Sequence, residues 1–403
     1  MKRKTMAVLA LVLALSLGAC GAPEQKETEQ TVPQEETKAV LPEKKYADLR
    51  YVDFMPDGGA FSKRIYRQEE YWKEYLYTYT FNEGTVFEGA EEEKARLLEE
   101  GKDPGLGVRA LHERGITGRG VNVAIIDSYI VLDHPEYRDC IAAYHDCGSG
   151  QENGMGSTHG PAVLSLLAGK SIGTAPEARV YYAAAADTGD AETFADALYW
   201  IIEESGKLPE GEKIRAVSVS AAPSSAFDKN TEMWEEAVKA AREAGILVVD
   251  TNATELQLRL SKETGEMFLE VQDVDIHDKT GIFMPGSFAF DDRADLASCT
   301  AGLPTEPTAV STTASLSVPC CYRTVAEEYR AGEPSYAYYG EGGLSWGVPY
   351  GVGVMALGWQ LNPTLTGNEI VQYLFDTAAP LADGNLFIDP AAFIHAIETD
   401  LAG

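Results

Sequence analysis

The 403-residue sequence has few basic residues: 33 Lys and Arg stand against 63 Asp and Glu, which gives a formal net charge of −30. Nucleic-acid binding depends on clustered Lys and Arg that face phosphates. A peripheral domain on anionic lipid needs positive charge as well. The composition therefore argues against both classes, and we expect most of the acidic excess to form a solvated surface rather than a binding site.

Metal and phosphate motifs are also absent. The six cysteines and six histidines show no spacing typical of a zinc site. Gly118 and Gly120 precede a predicted strand, whereas the glycines of a nucleotide-binding loop follow one. We therefore expect neither a metal nor a cofactor.

The first 20 residues have the pattern of an export signal. Residues 2–4 are basic, and the apolar run at 7–17 is too short to span a bilayer. Residues 17–20, Leu-Gly-Ala-Cys, resemble a bacterial lipobox. This resemblance implies cleavage after residue 19 and acylation of Cys20, for example with palmitate, which would anchor the chain to the outer face of the bacterial cell membrane. The alternative is an ordinary signal peptide with an incidental cysteine.

Export would permit disulfides, but five cysteines remain after Cys20. An odd number leaves at least one cysteine unpaired or paired between molecules. Cys140 and Cys147 are the candidates for a local bridge.

Composition divides the rest of the chain into three parts. Residues 20–45 comprise Cys20 and a Glu-, Gln-, Thr- and Pro-rich stretch that cannot bury enough apolar surface to fold, so we expect a disordered tether. Residues 46–104 are rich in Tyr and charge, with an acidic helix expected near 88–100. They form either an N-terminal extension packed on the main domain or a pro-segment. Residues 105–403 are expected to form the main domain.

Strands and helices alternate from residue 105 onward. Apolar runs predict buried strands at 121–127, 179–184, 216–220 and 246–249. Helices are predicted at 160–169, 191–204, 231–244, 345–359 and 369–377. This alternation predicts an α/β fold of three layers, with a mostly parallel sheet and helices on both faces. Residues 255–292 depart from this alternation of strands and helices, and a β-hairpin is predicted there around Thr264-Gly265.

Three polar residues are candidates for nucleophilic catalysis. Asp127 ends a predicted strand, at the edge of the sheet where α/β proteins bind ligands. His159 opens a predicted helix among small residues, and Ser345 directly precedes an apolar helix. Each has an ordinary structural alternative when taken alone, because Asp127 could cap a turn, His159 could be a capping or surface residue, and Ser345 could be an N-cap.

Taken together, these residues and their neighbours resemble the subtilase family, whose chain order is Asp, His, Ser. Four segments carry the resemblance: 118–128, 159–169, 173–178 and 343–349. The interval of 159 − 127 = 32 residues is typical of the family. The resemblance extends over about 105–397, and it implies a subtilisin-like fold and a serine endopeptidase that acts on peptides or proteins.

The resemblance also implies roles for single residues. Ser345 Oγ would attack the scissile carbonyl, His159 would accept its proton, and Asp127 would orient the imidazole. The backbone N–H of Ser345 is expected to stabilise the oxyanion. Asn252 is the candidate for a second oxyanion donor, although the glycine that precedes this Asn in the family is missing.

Ser220, Ala221 and Ala222 match the family segment that pairs with the substrate backbone. The alternative is an ordinary turn after a strand. Tyr129, Pro161-Ala162 and Trp346 depart from the family pattern, so we expect a divergent member with a reshaped cleft. Two other functions stay open: a catalytically silent subtilase fold that serves as a surface binding protein, and a lipid-anchored solute-binding protein.

Overall fold

The structure, a computed structural model, describes residues 47–50, 64–149, 157–185, 189–223, 228–251, 270–273, 315–328, 330–340, 342–380 and 386–403. The expected signal peptide, Cys20 and tether lie outside these ranges, as do Asn252 and most of the hairpin predicted at 255–292. Within these ranges, no helix is both long and apolar enough to cross a bilayer.

The N-terminal part of the described chain contains three short strands and one α-helix. These are β1 (Arg64–Tyr66), β2 (Phe81–Asn82), β3 (Thr85–Phe87) and α1 (Glu91–Glu100). Two 3₁₀-helices, Gln68–Glu70 and Lys73–Thr78, lie between β1 and β2.

The central part alternates strands with helices as the sequence predicts, except that an additional strand at Ile141–Asp146 follows the first strand directly. Its strands are β4 (Asn122–Asp127), β5 (Ile141–Asp146), β6 (Arg179–Ala184), β7 (Ile214–Val219) and β8 (Leu247–Asp250). Its helices are α2 (Val108–Glu113), α3 (His159–Ala168), α4 (Glu192–Lys207) and α5 (Thr231–Glu243), with a 3₁₀-helix at Glu210–Glu212.

The C-terminal part adds shorter strands and three helices. The strands are β9 (Glu270–Asp273), β10 (Ser315–Val318), β11 (Arg323–Glu328), β12 (Pro334–Tyr339), β13 (Ala379–Pro380) and β14 (Leu386–Phe387). The helices are α6 (Leu344–Leu361), α7 (Gly367–Thr377) and α8 (Pro390–Ala402).

The central sheet has the order β5-β6-β4-β7-β8, and each neighbouring pair is parallel. Every residue of β4 is buried. Because side chains alternate along a strand, Val123 and Ile125 enter one core with α3 and α6, whereas Ala124 and Ile126 enter a second core with α4 and α5. The predicted α/β fold, with helices on both faces of a parallel sheet, is confirmed.

The N-terminal part shares a sheet and a core with the C-terminal part. β2 pairs with β12, and β12 pairs with β11, both in the antiparallel sense. Tyr79, Phe81 and Phe87 are fully buried in the core that also contains α3 and α6. The end of α1 is held by β11, since Thr324 N–H donates to Gly101 O at 2.8 Å.

The suggested Cys140–Cys147 bridge is wrong. Both thiols are reduced, and the two residues flank the extended strand β5. A strand rises about 3.3 Å per residue, which separates these Cα atoms by roughly 20 Å, whereas a disulfide requires about 4.4–6.8 Å. Strand β5 gives no clear signal in the sequence, because its residues are only half-buried or exposed and form no continuous apolar run.

Candidate active site

Asp127 is the last residue of β4 and is only 1% exposed. A buried carboxylate needs hydrogen-bond donors, and Oδ1 receives two from the next residue, Ser128 N–H at 2.8 Å and Ser128 Oγ at 3.1 Å. This turn fixes the carboxylate at the carboxyl end of the sheet.

His159 begins α3 and meets Asp127. Its Nδ1 lies 2.7 Å from Asp127 Oδ1. The His159 side chain is 36% exposed, so the imidazole connects a buried carboxylate to the surface. The N-cap of α3 is Thr158, which makes no side-chain cap. Two of the three residues selected from the sequence therefore lie together.

A glycine allows the start of α3 to approach β4 this closely. A Cβ atom on Gly160 would lie 2.5 Å from both Ser128 O and the Tyr182 hydroxyl. Gly160 N–H donates to Ser128 Oγ at 3.0 Å, and Ser157 Oγ lies 2.8 Å from Ser128 Oγ. Tyr182 OH donates to Ser128 O at 2.5 Å. Ser128, Ser157 and Tyr182 therefore hold both His159 and Asp127 in place.

The environment makes His159 a stronger base than a free imidazole. Burial lowers the pKa of His159, but the negative charge of Asp127 and the hydrogen bond to it outweigh burial, so the net pKa is raised. Raising a histidine pKa in this way stabilises the imidazolium. The site is thus arranged to accept a proton at the imidazole.

Ser345 is the second residue of α6, after an N-cap at Gly343, so the N-cap alternative does not apply. Its Oγ donates to Ser220 O at 3.1 Å, and Ser220 Oγ donates to Ser345 O at 2.9 Å. Within the described ranges, Ser345 Oγ makes no hydrogen bond with His159.

Pro349 explains why Ser345 O is available to Ser220. Helical N–H groups bond to the carbonyl four residues earlier, and Pro349 has no N–H, so Ser345 O lacks its usual helical donor. Ser220 Oγ supplies one instead. The N–H of Ser345 lies in the first turn of α6, where backbone N–H groups have no intrahelical acceptor. This position is compatible with the expected oxyanion role, which stays a prediction.

The predicted substrate segment follows β7. Ser220 is buried, Ala221 is exposed and Ala222 is buried. Ala222 N–H donates to Thr251 Oγ1 at 3.3 Å, which ties the segment to the end of β8. Asn252 would follow directly but lies outside the described residues, so its role also stays a prediction.

Two rings extend the site beyond the residues chosen from the sequence. The Trp346 indole lies against His159, with ring centroids 5.5 Å apart. Tyr339 meets the indole edge-on at 5.1 Å. We call Tyr339 and Trp346 the aromatic wall. The position of Trp346 beside Ser345 was a signal in the sequence, but nothing local indicated Tyr339.

Three further site residues were not predicted: Ser128, Ser157 and Tyr182. Ser128 adjoins Asp127, and Ser157 lies two residues before His159, so proximity in the chain could have indicated both. Tyr182 lies on another strand, and only the fold brings it to Ser128.

A comparison with protein-family models matches residues 118–252 to the Subtilase family. These residues are a subtilase segment. The recognition made from the sequence is confirmed over this third of the chain. The subtilase segment contains Asp127, His159 and the stretch 220–222 and ends at Asn252, whereas Ser345 lies beyond it.

Two solved structures are similar to the chain at low identity. The prenylagaramide maturation protease PagA is 18% identical, with a TM-score of 0.47, over 72% of this chain and 98% of that one. A protease from Pseudoalteromonas arctica is 17% identical, with a TM-score of 0.46, over 70% and 91%. No curated protein matches the chain.

Proposed function

We propose that this protein is a membrane-anchored, extracytoplasmic serine endopeptidase that cleaves peptide bonds through an acyl-enzyme on Ser345. The observation that carries the proposal is the 2.7 Å contact between Asp127 and His159 at the end of the parallel sheet. The subtilase segment that contains both residues supports it.

In this proposal, Asp127 selects the tautomer of His159. A proton on Nδ1 donates to Asp127 Oδ1, so the lone pair of Nε2 is free to accept a proton from the nucleophile. The buried carboxylate also stabilises the imidazolium that forms, in line with the raised pKa of His159.

The Ser345 hydroxyl has to leave Ser220 O before it can transfer its proton to His159. Breaking one neutral hydrogen bond costs roughly 1 kcal/mol net, and a side-chain rotation takes picoseconds to nanoseconds. Both are small beside a chemical barrier, so this orientation is compatible with catalysis.

The chemical steps then follow the serine-peptidase sequence. Ser345 Oγ attacks the carbonyl carbon while its proton passes to His159. The Ser345 N–H and, as proposed, Asn252 stabilise the oxyanion. His159 protonates the leaving amine, and a water molecule activated by His159 hydrolyses the acyl-enzyme. The substrate adds as an extended strand along residues 220–222.

Membrane attachment in this proposal depends on Cys20. The lipobox-like residues 17–20 support cleavage and acylation, and the polar stretch up to residue 45 would hold the peptidase away from the lipid surface. Replacing Cys20 with Ala is expected to release the protein from the membrane fraction and to abolish incorporation of labelled palmitate. Retention of both would contradict the anchor.

A fluorophosphonate probe, which modifies activated serines, tests the catalytic proposal. Wild-type protein is expected to be labelled, and Ser345→Ala and His159→Gln are not. His145→Gln is the matched control, since His145 is exposed on β5 and stacks on Trp200 away from Asp127. Cleavage of a peptide library by the wild type but not by Ser345→Ala would identify the activity as a peptidase.

One observation favours a second candidate, a catalytically silent subtilase fold that binds a partner. The Ser345 hydroxyl donates to Ser220 O rather than to His159. Folded wild-type protein that neither reacts with the probe nor cleaves any peptide would establish this candidate instead.

A further inference from the structure

We infer that Trp346 and Tyr339 position the imidazole of His159, and that Arg50, from the N-terminal part of the chain, holds this aromatic wall in place. The inference rests on the proposed function, in which His159 is the base. It assigns a role in the site to residues that lie outside the subtilase segment.

The first step concerns His159 itself. Its hydrogen bond to Asp127 Oδ1 fixes the position of Nδ1, but a single hydrogen bond leaves the ring free to turn about that contact. The Trp346 indole lies against the imidazole at 5.5 Å, with an interplanar angle of 52°. It restricts this turn and so fixes the direction of Nε2.

The second step concerns the indole. Trp346 is 8% exposed, and its Nε1–H has no hydrogen-bond partner among the described residues. Packing, including contacts with other rings, therefore orients it. Tyr339 meets the indole edge-on at 5.1 Å and 78°, a favoured arrangement of aromatic rings. Tyr339 thus restricts the orientation of the Trp346 indole.

The third step concerns Tyr339. The Arg50 guanidinium lies 4.7 Å from the centre of the Tyr339 ring, and Nη1 donates to the Tyr339 hydroxyl. The same hydroxyl donates to Glu327 Oε1 at 3.1 Å. Arg50 Nη1 also pairs with Glu327 Oε1 at 2.5 Å, and the Glu327 side chain is fully buried. The tyrosine is held at both its face and its hydroxyl.

The fourth step concerns how Arg50 is placed. Asp48 pairs with Arg50 Nη2 at 2.7 Å. Leu49 N–H donates to Thr80 O at 2.7 Å, and Thr80 N–H donates to Ala47 O at 3.0 Å. Thr80 directly precedes β2, which pairs with β12, the strand that ends at Tyr339. Residues 47–50 are thus bound to the sheet that carries the wall.

These contacts imply that residues 47–50 stay with the working enzyme. If they were removed, Glu327 would be a buried carboxylate without Arg50, which is strongly unfavourable, and Tyr339 would lose the group on its face. Residues 47–50 lie in the part of the chain that could also be a removable pro-segment, and on this inference the site needs them.

The test measures fluorophosphonate labelling of the full-length protein and separates the maximal rate from probe affinity. Trp346→Leu is expected to lower the maximal rate about tenfold, with little change in affinity, because the base is misaligned. Trp346→Phe keeps a ring and should recover most of the rate. Tyr339→Leu should lower the rate about threefold, and Tyr339→Phe less.

Arg50 requires a paired substitution. Arg50→Met alone removes the cation that pairs with the buried Glu327 carboxylate and is expected to destabilise the sheet, so it is combined with Glu327→Gln. We expect the double variant to fold and to label about threefold more slowly than the wild type. Arg96→Met is the matched control, because Arg96 pairs with two carboxylates on the surface of α1. It should label at the wild-type rate.

The pH profile separates positioning from a purely structural role. Burial lowers the pKa of His159, and the indole contributes to that burial. Trp346→Leu should therefore raise the pKa further, so that the rate rises with pH later than in the wild type. A wild-type rate and pH profile in Trp346→Leu would overturn the inference, even if the variant unfolds more easily.

Failure of the proposed function can be distinguished from failure of the inference about the aromatic wall. If the wild type is not labelled at all, Ser345 is not an activated nucleophile, and the wall is then tested by NMR titration of the His159 ring, assigned with His159→Gln. A changed titration in Trp346→Leu and in the Arg50/Glu327 double variant supports the inference. An unchanged titration in both overturns it.

Discussion

Asp127→Asn removes one charge at the buried end of β4 and leaves the shape of the side chain unchanged. The Asn oxygen can still accept from Ser128 N–H, which lies 2.8 Å from the carboxylate. We therefore expect the turn to survive. What the amide lacks is the negative charge that stabilises an imidazolium at His159.

The expected loss of rate is large. The corresponding change in serine peptidases of the Ser-His-Asp type costs about 10⁴-fold in kcat, which is about 5.4 kcal/mol at 1.36 kcal/mol per tenfold. The expected loss of stability is small. Because His159 is 36% exposed, solvent screens its attraction to Asp127, and we expect the free energy of unfolding near neutral pH to change by less than about 1 kcal/mol.

The stability of the wild type and that of Asp127→Asn should also depend on pH with opposite sign. The raised pKa of His159 means that the wild-type pair adds stability that is fully present below the ordinary histidine pKa and is lost as pH rises through the raised value. In Asp127→Asn the negative charge no longer raises the pKa of His159, and burial lowers it. The variant therefore loses stability as pH falls through the lowered value.

Fluorophosphonate labelling rates between about pH 5 and about pH 9, together with urea unfolding at both ends of that range, measure these effects. Asp139→Asn is the control, since the Asp139 side chain is 83% exposed. Labelling of Asp127→Asn within about threefold of the wild type, while Ser345→Ala is not labelled, would refute the assigned role of Asp127.

Three further substitutions test the packing around the site and the titration of one buried carboxyl group. Tyr182→Phe removes the fully buried hydroxyl that donates to Ser128 O and should lower the free energy of unfolding in urea by about 1–3 kcal/mol; an unchanged value would contradict this. Gly160→Ala forces a Cβ to within 2.5 Å of Ser128 O and should cost about 1–3 kcal/mol and slow labelling, whereas Gly206→Ala, in open space on α4, should do neither. Burial raises the pKa of Glu328 to about 8, so the stability that its protonated form adds is lost as pH rises through that value. Glu328→Gln should flatten the fall in thermal stability between about pH 4.5 and about pH 8, and a slope equal to that of the wild type would count against it.

The central sheet and its polar edge follow from local signals in the sequence. The apolar run predicted as a strand at 121–127 is β4 at Asn122–Asp127, and the helix predicted at 160–169 is α3 at His159–Ala168. A strand that is buried on both faces and a helix that opens with small residues both show in the residue types. Their meeting at Asp127 and His159 follows because ligand sites of parallel sheets form where strands end.

The sheet of β2, β11 and β12 could not be predicted in the same way. β11 is fully buried, yet it carries Arg323, Glu327 and Glu328, which a burial pattern assigns to the surface. The partners of these charged residues come from distant parts of the chain. Arg50 meets Glu327 across 277 residues, and Arg323 donates to Gly101 O and Ile172 O. No local pattern encodes partners so far apart.

Explaining the orientation of Ser345 requires both a local signal in the sequence and a contact that only the fold creates. Pro349 is visible in the sequence, and its missing N–H frees Ser345 O, but only the fold brings Ser220 Oγ to that oxygen. The return bond from Ser345 Oγ occupies Ser220 O. In the proposed mechanism an extended substrate pairs with residues 220–222 by donating its N–H groups to carbonyl oxygens such as this one. A substrate N–H that reaches Ser220 O would compete with the Ser345 hydroxyl for this oxygen, so in that mechanism binding of the substrate favours release of the nucleophile toward His159.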